Sequence, residues 1–272
     1  MVSNTPSFYE MEKSGWADRA DAYDDYLGRL TKDALGPMLD AVGTHPGTKL
    51  LEIACGPGYG AGGAVARGAA ATGIDFAPAM VKAAKNKFPG AHFSEGNAEA
   101  LEFSDSLFDG VICSLGVLHF PNPELAIREA YRVLKPHGRY AFTVWCQPEK
   151  AKLFDIILGA INAHGNTDVP LPEAPPFFRF SDPDICQNAL EDAGFTNIQI
   201  SELPLVLHVD APKGVLDIVY KSTVRTAALL ELQTESARAK IHEAIDAAVR
   251  QYATDTDFAI PAPVVMAIGV KP

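Results

Sequence analysis

The chain has 272 residues, of which 47% are hydrophobic, and it carries a formal net charge of −11. This hydrophobic content is normal for a globular protein and excludes a mainly disordered chain. The length suits one large α/β domain, with or without an insertion. The acidic balance argues against nucleic acid as the substrate, because phosphate binding requires a basic surface.

Residues that commonly build disulfides or metal sites are scattered along the chain. The four cysteines form no Cys-x-x-Cys pair, and the seven histidines form no His-Glu-x-x-His motif. We therefore expect buried thiols in a reducing compartment and no metal site. The N-terminus lacks a basic region followed by an apolar core, and no apolar run approaches the length of a membrane-spanning helix. These features predict a soluble, cytoplasmic protein with no membrane partner.

The N-terminal segment, residues 1–46, is predicted to be helical. Apolar and aromatic residues recur at helical spacing from Trp16 to Leu30, and Tyr23 lies within this stripe. One interpretation is a helix that packs its aromatic face on the domain. The other is a lid over a cofactor, because aromatic rings stabilise a bound cation.

Residues 47–146 alternate strand and helix patterns, which predicts a parallel sheet with helices on both faces. Strands are predicted at 48–54, 71–75, 92–94, 108–114 and 139–145. Helices are predicted between them at 60–70, 78–88 and 123–134. This segment is the predicted cofactor-binding core.

The composition shifts after residue 146. Residues 147–180 combine a helical pattern with a stretch of four prolines, which predicts an insertion whose second half lacks regular structure. Residues 181–272 are predicted to complete the α/β core, beginning with a helix that Ser181 caps. Their last two strands are predicted at 197–209 and 258–270. Helical patterns fill 212–252, which we interpret as a second, helical cap insertion.

The most informative stretch runs from Leu50 to Gly60. Apolar residues, interrupted only by Glu52, predict a buried strand that leads into the turn Cys-Gly-Pro-Gly-Tyr-Gly. Glycines at alternate positions let a ligand contact main-chain N–H groups at the start of a helix. The turn alone also fits the Gly-x-Gly-x-x-Gly/Ala dinucleotide fingerprint, with Asp75 at about the distance of its ribose-binding acid.

Further motifs separate these alternatives. Glu52 stands four residues before the first glycine, where dinucleotide folds usually place an apolar residue, and a cysteine precedes that glycine. Three more motifs follow, Gly-Asn-Ala-Glu-Ala-Leu at 96–101, Phe-Asp-Gly-Val at 108–111 and Val-Leu-Lys-Pro-His-Gly-Arg at 133–139. As a set, they resemble the class I S-adenosylmethionine-dependent methyltransferases, and in particular those of the ubiquinone/menaquinone-biosynthesis type.

The resemblance implies S-adenosyl-L-methionine as the cofactor. Glu52 would reach its amino group directly or through water, and the alternative is a buried carboxylate that neighbouring main-chain N–H groups hold. Asp75 would accept hydrogen bonds from both ribose hydroxyls, and the alternative is an acid that caps the next helix. The predicted cofactor-binding residues are Tyr23, Glu52, Ala54, Cys55, Gly56, Gly58, Asp75, Phe76, Met80, Asn97, Ala98, Ser114 and Leu115.

The adenine-facing positions include one departure from the family. Phe76 and Met80 would flank the adenine ring, and Asn97 and Ala98 would face its edge. The family commonly has Asp where this chain has Asn97. An Asn side chain still accepts a hydrogen bond from the adenine amino group through its carbonyl oxygen, but it contributes no charge.

The reaction face is predicted at the end of the fourth strand, where Ser114 and Leu115 lie. His119 is the candidate catalytic residue, as a general base for a hydroxyl or amine nucleophile. The alternative for His119 is a hydrogen-bonded structural role. Methyl transfer is an in-line displacement, so alignment and exclusion of water carry much of the catalysis and no catalytic triad is required.

The resemblance implies a Rossmann-like α/β fold. Its seven-stranded, mostly parallel sheet would have helices on both faces, an antiparallel last strand at or near one edge, and a mainly helical cap. The predicted function is transfer of a methyl group to a small-molecule acceptor in a capped pocket. The alternatives are a non-catalytic S-adenosylmethionine-binding protein, an NAD(P)-dependent oxidoreductase, and an enzyme of this fold that uses the cofactor for other chemistry.

Overall fold

The computed structural model describes residues 6–272, which divide into two compact units. The sheet unit comprises residues 31–145, 174–203 and 264–272. The helical unit comprises the described residues up to 30 together with 146–173 and 204–263. The first five residues of the predicted N-terminal segment lie outside the described residues. The predicted domain boundaries stay predictions.

Strands and helices alternate along much of the chain. The strands are β1 Lys49–Ile53, β2 Ala70–Asp75, β3 His92–Glu95, β4 Phe108–Ser114, β5 Leu134–Trp145, β6 Thr196–Leu203, β7 Val206–Val209, β8 Phe258–Pro261 and β9 Val264–Val270. The α-helices are α1 Phe8–Arg19, α2 Leu27–Thr31, α3 Leu35–Ala41, α4 Tyr59–Ala66, α5 Pro78–Lys87, α6 Pro123–Val133, α7 Lys152–His164, α8 Pro183–Ala193, α9 Gly214–Ser222, α10 Arg225–Glu231 and α11 Glu235–Val249.

A seven-stranded sheet forms the centre of the sheet unit. The strand order is β3-β2-β1-β4-β5-β9-β6, and β1 to β5 pair in parallel. Strand β9 runs antiparallel to both of its neighbours, next to the edge strand β6. The prediction of a mostly parallel seven-stranded sheet with an antiparallel last strand near one edge is therefore confirmed.

The central strands are buried because helices cover both faces of a parallel sheet. Every residue of β1 after Lys49 is buried, and Phe142 on β5 is fully buried. Helix α6 begins at Pro123, whose missing N–H costs nothing in the first turn, and buries Ile127 on its apolar face. The core consequently sets the carboxyl ends of β1, β2 and β4 at one edge of the sheet.

The helical unit has its own small sheet, in which β7 and β8 pair antiparallel. Helix α11 packs on α7 and α9, and Tyr220 on α9 shares a 2.8 Å hydrogen bond with His242 on α11. Thr234 caps α11 through a hydrogen bond from the main-chain N–H of Ala237. Among residues 6–272, no helix has the length and apolar character needed to cross a membrane.

Two predicted strands are wrong in extent because proline interrupts them. The predicted strand 197–209 is two strands, β6 and β7, separated at Pro204. The predicted strand 258–270 is likewise β8 and β9, with Pro263 between them. Since proline donates no hydrogen bond to a sheet, each run divides, and β7 and β8 pair with each other instead of joining the larger sheet.

Two predicted helix features are also wrong. The stripe from Trp16 to Leu30 is not one helix, because α1 ends at Arg19 and a 3₁₀ turn, Tyr23–Asp25, precedes α2. The intervening residues are rich in Asp, which favours turns over helix interiors. The cap of α8 is Asp182, which accepts from the N–H of Asp184 at 2.9 Å, whereas the predicted cap, Ser181, donates to the carbonyl of Phe178.

Candidate functional site

The turn after β1 holds its main chain in an unusual conformation. Ala54, Gly56 and Gly58 have positive φ angles of 53°, 49° and 83°. A Cβ atom at Gly58 would lie 2.6 Å from the ring of Phe93, whereas a Cβ at Gly56 would meet nothing within 4 Å. Left-handed conformation is uncommon for alanine, and strain of this kind concentrates at ligand-binding sites. The turn therefore combines close packing on one side with open space at Gly56, which suits a cradle for a ligand.

Glu52 is a buried carboxylate that closes the N-terminus of α4. It is 3% exposed, and its two oxygens accept from the N–H groups of Gly60 at 3.0 Å and Ala61 at 2.7 Å. Burial raises the pKa of Glu52 to about 8, against the opposing effect of these two donors. The structure thus shows Glu52 as a buried carboxylate that main-chain N–H groups hold, which was the alternative interpretation of this residue. Its contact with a cofactor amino group stays a prediction.

Asp75 is a second buried carboxylate, at the end of β2. One oxygen accepts from the N–H of Gly56 at 2.8 Å and the other from the N–H of Ala77 at 2.9 Å. It therefore fastens the glycine turn to the end of β2 and also accepts from Ala77, the residue before α5. The N-cap of α5 is Ala77, without a side-chain hydrogen bond, so Asp75 is not the cap of that helix. Burial raises the pKa of Asp75 to about 6, which the two donors and the nearby His119 oppose. A carboxylate has about four acceptor directions, so these contacts leave capacity for ribose hydroxyls.

The predicted adenine residues follow β2 and β3, which are neighbours in the sheet. Phe76 is half-buried, Met80 is 3% exposed on α5, and Ala98 is buried. Asn97 is exposed, and its side-chain oxygen accepts from the N–H of Glu99 at 3.0 Å. The structure brings these residues to the same edge of the sheet as Asp75, and their contacts with adenine stay predictions.

A second turn follows β4, the neighbour of β1. Leu115 has a φ angle of 54°, and its N–H donates to both the carbonyl oxygen and the Oγ1 of Thr143, each at 3.1 Å. The hydroxyls of Ser114 and Thr143 lie 3.4 Å apart. The two predicted residues of the reaction face, Ser114 and Leu115, thus end β4 in a fixed geometry. This second turn carries no carboxylate of its own.

His119 completes this second turn. It lies in the 3₁₀ helix Val117–His119, and its N–H donates to the carbonyl of Gly116 at 2.9 Å. Its ring lies edge-on to Phe177, with 6.5 Å between the ring centroids. Because His119 also interacts electrostatically with Asp75, the structure places the candidate base at the same edge as the buried acids.

Two residues of the site were missed by the sequence analysis. Thr143 is fully buried and anchors the β4 turn, and a polar residue within an apolar strand was the available signal. Gly116 lies where the two turns meet, because a Cβ atom there would be 2.6 Å from the Cβ of Ala54. No local pattern indicates that approach, since the two residues are far apart in sequence.

One predicted cofactor-binding residue does not belong to the sheet unit. Tyr23 belongs to the helical unit, where its ring is edge-on to Trp16 with 5.9 Å between centroids. Its contact with a cofactor stays a prediction. Within residues 6–272, no group of three or more His, Cys, Asp or Glu side chains is arranged to hold a metal ion.

Comparison with known proteins gives a consistent result. Residues 51–142 match the family model described as a methyltransferase domain. The ubiquinone/menaquinone biosynthesis C-methyltransferase UbiE of Nitrobacter hamburgensis is 30% identical over 206 residues, which cover 67% of this chain and 81% of that protein. The demethylmenaquinone methyltransferase of Renibacterium salmoninarum is 28% identical over 175 residues, covering 61% of this chain and 74% of that protein.

A solved structure shows the same fold. The YcgJ protein of Bacillus subtilis superimposes with a TM-score of 0.57 and 19% sequence identity, covering 88% of this chain and 98% of its own. At 19% sequence identity, this likeness is evidence for a shared fold and not for a shared function.

Proposed function

Since the chain belongs to the class I S-adenosylmethionine-dependent methyltransferases, we propose which of its residues carry the methyl transfer to a small-molecule acceptor. The observation that carries the proposal is the convergence of two buried carboxylates, Glu52 and Asp75, on one glycine turn. When bound, S-adenosylmethionine supplies an electrophilic methyl group on a sulfonium cation.

The cofactor side of the site is the turn after β1 together with Asp75. Main-chain groups of residues 54–58 bind the methionine moiety, and Asp75 accepts hydrogen bonds from the ribose hydroxyls. Glu52 holds the start of α4 in place. In their ionised forms both carboxylates favour a cationic ligand, because charges attract strongly where little water screens them. Phe76, Met80, Asn97 and Ala98 line the adenine side.

The acceptor side is the turn after β4. We propose a phenolic or quinol-type acceptor whose hydroxyl proton is taken by His119, so that the ring becomes a better nucleophile. The names of the relatives, which concern ubiquinone and menaquinone biosynthesis, support this acceptor class. The ring of Phe177 beside His119, and that of Phe178 beside Phe177, also support it, since flat aromatic groups pack well together. Ser114 and Leu115 line this reaction face.

Calorimetric titration tests the cofactor side. The protein is titrated with S-adenosylhomocysteine and, separately, with NAD. We expect binding of the first and none of the second. Binding of NAD alone would contradict the proposal and favour an oxidoreductase.

Turnover tests the acceptor side. Release of S-adenosylhomocysteine is followed with hydroquinones, simple phenols, primary amines and carboxylic acids as acceptors. Turnover confined to the hydroxylated rings, with a large loss of kcat in His119→Gln, is the expected result. Turnover of amines alone would contradict the acceptor class, and an unchanged kcat in His119→Gln would contradict the role of His119.

We also propose a cytoplasmic location for the enzyme. Cys55, Cys113, Cys146 and Cys186 are all buried thiols, which a reducing compartment preserves. The net charge of −11 supports a small-molecule acceptor over a nucleic acid. Cell fractionation followed by detection of the protein checks the location, and recovery in a secreted or membrane fraction would contradict it.

A further inference from the structure

The proline-rich segment 174–181, here called the strap, is fixed within the sheet unit at several points. Arg179 forms a 2.5 Å ion pair with Glu124 on α6. The hydroxyl of Ser181 donates to the carbonyl of Phe178 at 2.6 Å. Phe180 is 4% exposed and packs edge-on to Phe142 on β5, with 5.9 Å between ring centroids. An ion pair, a turn hydrogen bond, a buried ring and the short 3₁₀ helix Arg179–Ser181 therefore hold the strap in one place.

The strap presents Phe177 to His119. The two rings meet at an angle of 73° with 6.5 Å between centroids, which is edge-to-face packing. Phe177 is also edge-on to Phe178, with 4.9 Å between centroids. The ring of Phe177 thus lies in contact with both His119 and Phe178. The side chain of Phe177 is half-buried.

The main chain of His119 is fixed by its 3₁₀ turn, but this does not set the orientation of the imidazole. A proton acceptor must point one particular nitrogen at its target, and an imidazole that rotates loses this alignment. Asp75 interacts electrostatically with His119, and Phe177 packs edge-on to its ring. Phe177 has no group able to transfer a proton, so any effect it has on proton transfer acts through His119.

We propose that Phe177 is a positioning residue, whose ring holds the imidazole of His119 in the orientation that faces the acceptor. This inference rests on the proposed role of His119 as the proton acceptor. It assigns a function to the strap, which the sequence indicates only as an irregular proline-rich stretch. The strap would supply one wall of the site from a segment more than fifty residues beyond His119.

The test compares two phenylalanines in similar surroundings. Phe177→Leu removes the ring and keeps an apolar side chain, and Phe177→Tyr restores the ring. Phe103→Leu is the matched control, because Phe103 is also half-buried and edge-on to another ring, that of Phe108, with 5.2 Å between centroids. We measure kcat and KM for the acceptor, the dissociation constant of S-adenosylhomocysteine, thermal unfolding, and the NMR signals of the His119 imidazole, assigned with His119→Gln.

We expect Phe177→Leu to lower kcat about tenfold, a fraction of what general-base catalysis contributes, and to shift and broaden the His119 signals. The KM of the acceptor and the affinity for S-adenosylhomocysteine should change little, and Phe177→Tyr should restore kcat. Phe103→Leu should lower the unfolding temperature by a similar amount and leave kcat and the His119 signals unchanged.

Three results would overturn the proposal. In the first, Phe177→Leu and Phe103→Leu behave alike in every measurement, which assigns Phe177 a structural role only. In the second, KM rises and kcat stays constant, which makes Phe177 an acceptor-binding residue. In the third, the His119 signals stay unchanged in Phe177→Leu. The NMR measurement needs no turnover, so it decides the inference even where the acceptor class proposed above proves wrong.

Discussion

The turns after β1 and β4 are neighbours built on the same plan and differ in charge. Each has one non-glycine residue with a left-handed main chain, Ala54 in the first and Leu115 in the second, with φ angles of 53° and 54°. In each turn a main-chain N–H donates to a side chain on an adjacent strand. The N–H of Gly56 donates to Asp75 on β2, and the N–H of Leu115 donates to Thr143 on β5. The acceptor at the first turn is therefore a buried carboxylate, and the acceptor at the second turn is the buried hydroxyl of Thr143.

This difference separates the tasks of the two turns. When they are ionised, the two carboxyls at the first turn favour a cation and disfavour an anionic ligand, because little water screens them. The second turn carries His119, an imidazole side chain of the kind that serves as a general base. One turn is suited to hold a charged cofactor and the other to change the protonation of an acceptor.

The largest expected effect is on the first turn. Asp75→Ala removes the proposed ribose contacts and leaves the N–H groups of Gly56 and Ala77 without their acceptor. Hydrogen bonds to a charged group contribute roughly 1.5–3 kcal/mol each, so we expect the affinity for S-adenosylhomocysteine to fall by about 100-fold or more. Calorimetry measures this loss. Asp40→Ala is the control, because Asp40 pairs with Arg67 at the surface and should leave affinity unchanged. Equal affinity in Asp75→Ala and Asp40→Ala would remove Asp75 from the cofactor site.

The next effect concerns the contact between the two turns. In Gly116→Ala the new methyl group would lie 2.6 Å from the Cβ of Ala54 and 2.7 Å from the sulfur of Cys113, so the main chain must shift. Overpacking of this kind costs about 1–3 kcal/mol, which we expect as a lower unfolding temperature together with weaker cofactor binding. Gly159→Ala on α7 is the control, because its Cβ would meet nothing within 4 Å and should slightly stabilise the helix. A fully stable Gly116→Ala would contradict the close approach of the turns.

The two carboxyls at the first turn predict that the affinity for the cofactor product depends on pH. Burial raises the pKa of Glu52 to about 8 and that of Asp75 to about 6, so both carboxyls lose protons as the pH rises through this range. A ligand with a positive amino group binds the ionised forms better, so the affinity for S-adenosylhomocysteine should rise about tenfold between pH 6 and 8, with protons released on binding. Calorimetry in two buffers of different ionisation enthalpy counts those protons. An affinity that falls over this range would contradict the assignment.

Whereas the affinity for the ligand should rise with pH, the stability of the free protein should fall with pH. A carboxyl whose pKa is higher in the folded than in the unfolded state stabilises the fold below its unfolded pKa, and this contribution is lost as the pH rises through the folded value. The free energy of unfolding should therefore fall as the pH approaches about 8. Glu52→Gln has no such carboxyl, so its unfolding free energy should depend less on pH. Urea titrations across this range compare the two proteins, and parallel pH curves would show that Glu52 does not titrate there.

The smallest expected effect is on the second turn. Thr143→Val keeps the shape of the side chain and removes one of the two acceptors of the Leu115 N–H. The loss of one such hydrogen bond costs about 0.5–1.5 kcal/mol, and we expect kcat to fall with little change in cofactor affinity. Thr196→Val is the control, because the hydroxyl of Thr196 donates to Val270 at the exposed edge of the sheet. A weaker affinity for S-adenosylhomocysteine with an unchanged kcat would show that the two turns do not divide the work in this way.

Local patterns predicted the elements of the sheet unit well. The prediction of a strand at 108–114 matches β4 residue for residue, and Pro78 and Pro123 begin the predicted helices. Such signals work because alternation, helical spacing and proline depend on residues close in sequence. They failed at 197–209 and 258–270, where a single strand was predicted and partner choice divided each run between two sheets.

The sequence by itself determined the family, the glycine turn and the two acids that serve it, because these features lie in short motifs whose spacing is readable. The tertiary structure alone decided what each group contacts. Glu52 accepts from Gly60 and Ala61 because strand, turn and helix fold back on one another. Thr143 anchors Leu115 and Phe177 meets His119 only because the fold brings segments that are distant in sequence to one edge of the sheet. Contacts of this kind depend on packing, and no local pattern encodes them.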